Sequence, residues 1–114
     1  MKKITLYYFF AMILFMCPSM MLAQDLQFGI PFTFSDGNNS NDITVGVDPN
    51  GDTAFVEGLD QLAPPAPPDG AFDARVKVGG ISYFAKYLDN AFTEKTINFE
   101  YVAATGNGPI TVTW

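Results

Sequence analysis

Leu26-Gln27-Phe28-Gly29-Ile30-Pro31-Phe32-Thr33-Phe34 is the stretch that decides the fold. Its large apolar residues, Leu26, Phe28, Ile30, Phe32 and Phe34, fall at every second position, with Gln27, Gly29, Pro31 and Thr33 between them. A period of two sends alternate side chains to opposite faces of an extended strand, so the apolar set lines one face. Pro31 has no N–H to give a ladder, which places the segment at a sheet edge or breaks it into two pieces there.

The same alternation recurs in both directions from this stretch. Ile43, Val45 and Val47 alternate with Thr44, Gly46 and Asp48, and Ala54-Phe55-Val56 suggests a short strand beyond the following turn. Phe72, Ala74, Val76 and Val78 oppose Asp73, Arg75 and Lys77. Ile81 to Leu88 is apolar on both faces, the mark of a central strand. Ile97, Phe99 and Tyr101, then Ile110, Val112 and Trp114, repeat the pattern. Turn chemistry separates the runs at Asp36-Gly37-Asn38-Asn39, Pro49-Asn50-Gly51, Gly79-Gly80, Asp89-Asn90 and Gly106-Asn107-Gly108-Pro109. Gly79-Gly80 fits a two-residue hairpin between Val78 and Ile81. No stretch beyond residue 23 holds a helical period. The expectation is an all-β chain, an antiparallel β-sandwich or barrel over residues 24–114.

One segment breaks the pattern. Ala63-Pro64-Pro65-Ala66-Pro67-Pro68-Asp69-Gly70 concentrates proline, which enforces an extended polyproline conformation with few internal hydrogen bonds. It reads as a stiff connector at 63–70 that crosses between sheets or joins two parts of the domain.

The amino terminus has a different grammar. Lys2 and Lys3 precede an apolar run from Ile4 to Leu22, and Ala23-Gln24 follows. A short positive region, a greasy core and a small residue make a helical signal peptide over 1–23, cut between Ala23 and Gln24. The run is also long enough for an uncleaved anchor. Cys17 raises lipid attachment as a third reading, although Met16 stands where that process wants a small residue. The expected location is secreted or cell-surface, with no membrane contact after the leader is removed.

Cleavage also removes the only cysteine, Cys17, so no disulfide can staple the exported part. It leaves four basic residues (Arg75, Lys77, Lys86, Lys95) against all twelve acidic ones. Such a surface repels phosphate backbones, and no nucleic-acid partner is expected. The chain has no histidine, which excludes His-based triads, Cys–His dyads and the usual zinc sites. No catalytic residue and no cofactor are expected.

Gly58-Leu59-Asp60, Pro64-Pro65-Ala66-Pro67-Pro68 and Gly70-Ala71-Phe72-Asp73-Ala74-Arg75 together resemble a segment of secreted Gram-negative bacterial proteins that carry a C-terminal type IX secretion sorting domain. The flanking Ile43-Thr44-Val45-Gly46-Val47-Asp48-Pro49 and Gly108-Pro109-Ile110-Thr111-Val112-Thr113-Trp114 resemble the strands around that segment. The resemblance spans about residues 42–114. It implies an extracellular, non-catalytic immunoglobulin-like module and transfers no catalytic residue. The resembling modules continue into another loop and strand after the position of Trp114, so this chain is expected to be the N-terminal piece of a longer protein, with its sandwich incomplete at the C-terminus.

Four groups of residues are candidates for chemistry. Asp48, Asn50 and Asp52, joined by Glu57 or Asp60, suit an irregular structural calcium site, against the plainer reading of an Asn-Gly turn with solvating carboxylates. Asp36 to Asp42 is a polar loop with the same two readings. Asp73 and Arg75 share a strand face and can pair, a contact that contributes under about 1 kcal/mol at a surface. Tyr83, Tyr87, Tyr101 and Trp114 suit either core packing or an aromatic platform for a sugar ring. The function expected is therefore a structural or adhesive module of an exported bacterial protein. The alternative is a calcium-assisted carbohydrate-binding accessory module of a larger hydrolase. Partners would be surface polysaccharide or other domains of the same longer chain.

Overall fold

The computed structural model describes residues 26–114, which form seven strands: β1 Phe28–Ser35, β2 Ser40–Val47, β3 Gln61–Leu62, β4 Asp73–Val78, β5 Ile81–Leu88, β6 Asn98–Val102 and β7 Thr111–Thr113. No helix occurs among the described residues. The leader, the cut at Ala23-Gln24 and Cys17 lie outside them. The all-β class expected from the alternation is what the chain adopts.

Two hairpins supply the frame. β1 and β2 pair antiparallel from Phe28↔Val47 to Ser35↔Ser40. β4 and β5 pair around Gly79-Gly80, whose φ angles of 59° and 79° suit the left-handed two-residue turn that only glycines enter freely. β6 adds antiparallel to β4, from Asp73↔Val102 to Lys77↔Asn98, and β7 adds antiparallel to β1 at Thr33–Ser35. The hydrogen-bonded order is β6-β4-β5-β2-β1-β7, with β3 paired to β5 off that path.

The sheet departs from the antiparallel expectation at one place. β2 and β5 run parallel, Thr44↔Ala85 to Val47↔Leu88. Parallel neighbours need a long crossover, and residues 48–80, including the proline-rich connector, supply it. β5 pairs with β4 through residues 81–83 and with β2 through residues 85–88, so it serves as the central strand that joins the hairpins.

The curl of the sheet is fixed by aromatic packing. Phe32 and Phe34 of β1 stack against Phe99 of β6 at 5.0 and 5.2 Å between ring centroids, and Phe34 also meets Tyr101 at 5.4 Å. β1 and β6 lie far apart in hydrogen-bonded order, so these contacts require the sheet to bend into a sandwich-like half-barrel. The bend brings Phe34, Ile43, Val45, Ala74, Val76 and Tyr83 together as the buried core. Ala74 and Val76, and Ile43 and Val45, are two residues apart, as a single inward face demands.

Other departures have local causes. Ala54-Phe55-Val56 forms no strand, and the short pairing appears instead at Gln61-Leu62. The Val56 N–H is taken by the Asp60 side chain, 2.9 Å away, rather than by a neighbouring strand. Pro31 lies in the part of β1 that has β2 alone as a neighbour, because β7 covers only Thr33–Ser35. The missing N–H thus falls where no ladder is interrupted.

On the face opposite the core, Gly29 and Gly46 are cross-strand partners, and the Tyr87 ring lies over both. A Cβ on Gly46 would overlap the Phe28 carbonyl oxygen and the Tyr87 ring, and backbone cannot yield as a flexible side chain can. Gly46→Ala is expected to destabilise by roughly 1–3 kcal/mol through overpacking, read as a lowered midpoint in urea with an unchanged slope.

Candidate functional site

Three features concentrate the chemistry of the domain: a buried ion pair on β5, a carboxylate hub at the β1–β2 turn, and an open apolar groove beside β1.

The ion pair joins Lys86 to Asp60. Both side chains are wholly buried, and Lys86 Nζ donates to Asp60 Oδ2 at 2.6 Å and to the Ala54 carbonyl at 2.7 Å. The Tyr83 ring covers the ammonium at 4.7 Å from its centroid, a cation–π contact. Asp60 is held equally closely: Oδ2 accepts the Val56 N–H and Oδ1 the Tyr87 N–H, each at 2.9 Å. The pair fastens residues 54–60 to β5. Tyr83 is also fully buried, and its hydroxyl has no hydrogen-bond partner. Burial, then the Asp60 charge, pushes that phenol above its ordinary range.

Sequence reasoning placed Asp60 only as an auxiliary calcium ligand and passed over Lys86. The signal was present: Lys86 is the one charged residue in a strand otherwise greasy on both faces. A charge in such a strand must find a partner when the strand is central.

The hub is Asp36, a buried carboxylate surrounded by donors. Oδ1 accepts the N–H groups of Asn38 (3.1 Å) and Asn39 (2.8 Å), while Oδ2 accepts the Ala104 N–H (2.9 Å) and Asn107 Nδ2 (3.2 Å). Asn39 Nδ2 lies 3.2 Å from both oxygens. Burial opposes the charge, but these hydrogen bonds outweigh it and hold the Asp36 carboxyl well below the usual carboxylate range. The polar loop at 36–42 is therefore a tie between two turns, from β1–β2 to the segment before β7.

This tie has a pH signature. A carboxyl whose folded pKa is depressed adds stability that is complete above its unfolded value, near 4, and is lost as pH falls below it. Asp89 contributes in the same direction, its carboxyl lowered by the Lys95 ammonium at 2.7 Å and by the Ala91 N–H. Asp36→Asn is expected to melt at a lower temperature at pH 7 and to lose less stability than the parent between pH 5 and pH 2, measured by thermal denaturation across that range.

The residues proposed for calcium are engaged separately. Asp48 is buried, its Oδ1 accepting the Asn50 N–H at 2.8 Å and its Oδ2 Gln27 Nε2 at 2.6 Å. Asp52 turns to the Thr53 N–H at 2.6 Å, and Asn50 is exposed. Glu57 is exposed, and Asp60 belongs to the Lys86 pair. Among the described residues no three His, Cys, Asp or Glu side chains converge.

Asp73 and Arg75 do pair, through Nε–Oδ2 at 2.7 Å and Nη2–Oδ1 at 2.9 Å, a two-pronged contact. The pair is not a surface one. Arg75 is buried because the proline-rich connector crosses the outer face of β4, where the Pro64 carbonyl accepts Nη1 at 3.0 Å. The hydrogen bond to Asp73 holds the guanidinium in its charged form against that burial. Pro64 thus converts an expected solvated face into a covered one.

The four aromatic residues read as a platform lie in different places. Tyr83 is in the core, Tyr87 covers the glycine pair, Tyr101 packs on Phe34, and Trp114 is 84% exposed beside Phe32.

The groove is a recess of about 200 Å³ lined chiefly by Phe28, Ile30, Phe32, Val45, Val47 and Leu88. It is where the alternating face of β1 runs out of core. Phe34 is 2% exposed, whereas Phe28 and Ile30 remain 44% and 41% exposed. Comparison with protein-family models, curated proteins and solved structures returned no match.

Proposed function

We propose that this protein is a non-catalytic structural or adhesive β-sandwich module of an exported, cell-surface or secreted bacterial protein. The observation that carries this reading is how the buried charges are used. Asp36, Asp48, Arg75 and Lys86, with the wholly buried carboxylate of Asp60, are the buried charges of the described residues, and each is taken up by internal partners that tie one loop or strand to another. A catalytic carboxylate or amine needs a substrate proton within reach and room for a substrate, whereas these groups are committed to holding the framework. The groove beside β1 is apolar and suits packing against protein rather than bond chemistry.

Export is supported by the Lys2-Lys3 and Ile4–Leu22 leader pattern and by the acidic, cysteine-free remainder. The test is surface exposure on intact cells. An epitope inserted at the Gly79-Gly80 turn is expected to be stripped by added protease while a cytoplasmic marker survives. Protection of the epitope on intact cells overturns the localisation. Selective binding of the purified protein on a glycan array, lost with chelator, would replace the structural reading by the calcium-assisted carbohydrate-binding one.

A further inference from the structure

We propose that Lys86 and Asp60 condense into an intramolecular amide, so that β5 and the 54–60 segment are joined covalently in the mature protein. The inference rests on the geometry of the buried pair and stands independently of the functional reading above.

Four observations point to this chemistry. The amine and the carboxyl are already in contact, 2.6 Å from Nζ to Oδ2, which places Cγ one bond beyond the atom Nζ touches. Such enforced proximity replaces a bimolecular encounter by an internal one. Both side chains are fully shielded from solvent. In water, condensation of an ammonium with a carboxylate is opposed by the solvation of the two ions. Here that solvation was given up on folding, and amide formation removes both buried charges. Both carboxyl oxygens are also held by fixed backbone N–H groups, from Val56 and from Tyr87. These donors stabilise the negative charge that develops on the carboxyl oxygens during attack. Finally, the fully buried Tyr83 ring closes over the ammonium, 4.7 Å from its centroid.

The atoms balance without any co-reactant. One Nζ proton crosses the 2.6 Å hydrogen bond to Oδ2, leaving an amine and a carboxylic acid. The freed nitrogen lone pair attacks Cγ, the Cγ–Oδ2 bond breaks, and Oδ2 leaves as water with a second hydrogen from nitrogen. Nζ keeps its third hydrogen as the amide N–H, which the Ala54 carbonyl at 2.7 Å is placed to accept. Oδ1 becomes the amide oxygen and still accepts the Tyr87 N–H. The product therefore keeps the Ala54 and Tyr87 hydrogen bonds, while the Val56 N–H loses its Oδ2 acceptor to the departing water. No cysteine follows residue 17, and this linkage would be a cross-link that oxidation state cannot undo.

The experiment is intact-mass spectrometry with peptide mapping on the exported, purified protein. The expected result is a mass lower by one water and a branched peptide joining the Asp60 segment to the Lys86 segment. Lys86→Arg, which retains the positive charge but cannot condense in this way, is expected to restore the full mass. A parent protein at its full sequence mass overturns the proposal. So does a water loss that persists in Lys86→Arg, which would identify ring closure at Asp36-Gly37 or Asp69-Gly70 instead. Should the variant fail to fold, the parent's peptide map still decides, because the branched peptide is either found or absent.

Discussion

Relative to the parent in its ion-paired form, before any amide forms, replacing Asp60 by alanine is expected to lower the unfolding free energy by about 3–5 kcal/mol, the usual cost of leaving one member of a buried ion pair without its partner. The Lys86 ammonium would keep only the Ala54 carbonyl and the Tyr83 ring face, and the N–H groups of Val56 and Tyr87 would lose their acceptor. For a domain of this size that loss is a large part of its whole stability. Urea denaturation of parent and variant measures it. A companion substitution sharpens the result. The double variant Asp60→Leu, Lys86→Met buries no charge and is expected to recover part of the loss, the remainder reflecting the two orphaned N–H groups. A single variant within 1 kcal/mol of the parent would show that Lys86 reaches water in solution, contrary to its complete burial.

Phe34→Ala is the second large effect, expected at about 3–5 kcal/mol for removal of a fully buried aromatic ring. Phe34 is 2% exposed and touches both Phe99 and Tyr101. Its loss removes transfer free energy and opens a cavity at the point where β1 meets β6. Phe28→Ala provides the internal control. Phe28 belongs to the same alternating set but is 44% exposed, so its truncation is expected to cost well under half as much. Equal losses at the two positions would mean that the groove beside β1 is filled in solution.

The contrast between Phe34 and Phe28 also marks how far the sequence can be read. Alternation located β1, β2, β4, β6 and β7 because each turns one apolar face inward, and an apolar run on both faces located β5; a period of two survives any arrangement of neighbours. For the same reason it could not reveal that β2 and β5 run parallel. The side-chain pattern of a strand is identical in either direction. Nor could it show that the apolar face of β1 emerges from the core between Phe34 and Ile30, because that depends on where β6, packed across from it, ends.

The charged residues divide along similar lines. Asp73 and Arg75 are two residues apart, and their pairing was legible. The burial of Arg75 was not, because it depends on the Pro64 carbonyl arriving from a connector. Asp36, Asp48 and Asp52 all carry turn chemistry in sequence. Only spatial information separates Asp36, whose donors come from both its own turn and residues 104–107, from Asp52, which serves its neighbour Thr53. The Lys86–Asp60 pair spans 26 positions, and no local pattern links two such residues. The lone cation in a greasy strand announces that a partner exists, without saying where.

The parallel ladder between β2 and β5 has a kinetic consequence. The β1–β2 and β4–β5 hairpins close over short loops and can form early, on the order of microseconds for an isolated hairpin. Joining them requires residues 48–80 to be drawn together first, and that chain entropy is lost before any ladder contact compensates for it. Assembly of the two halves is therefore expected to be the slow step of folding, with each hairpin formed before the ladder that joins them.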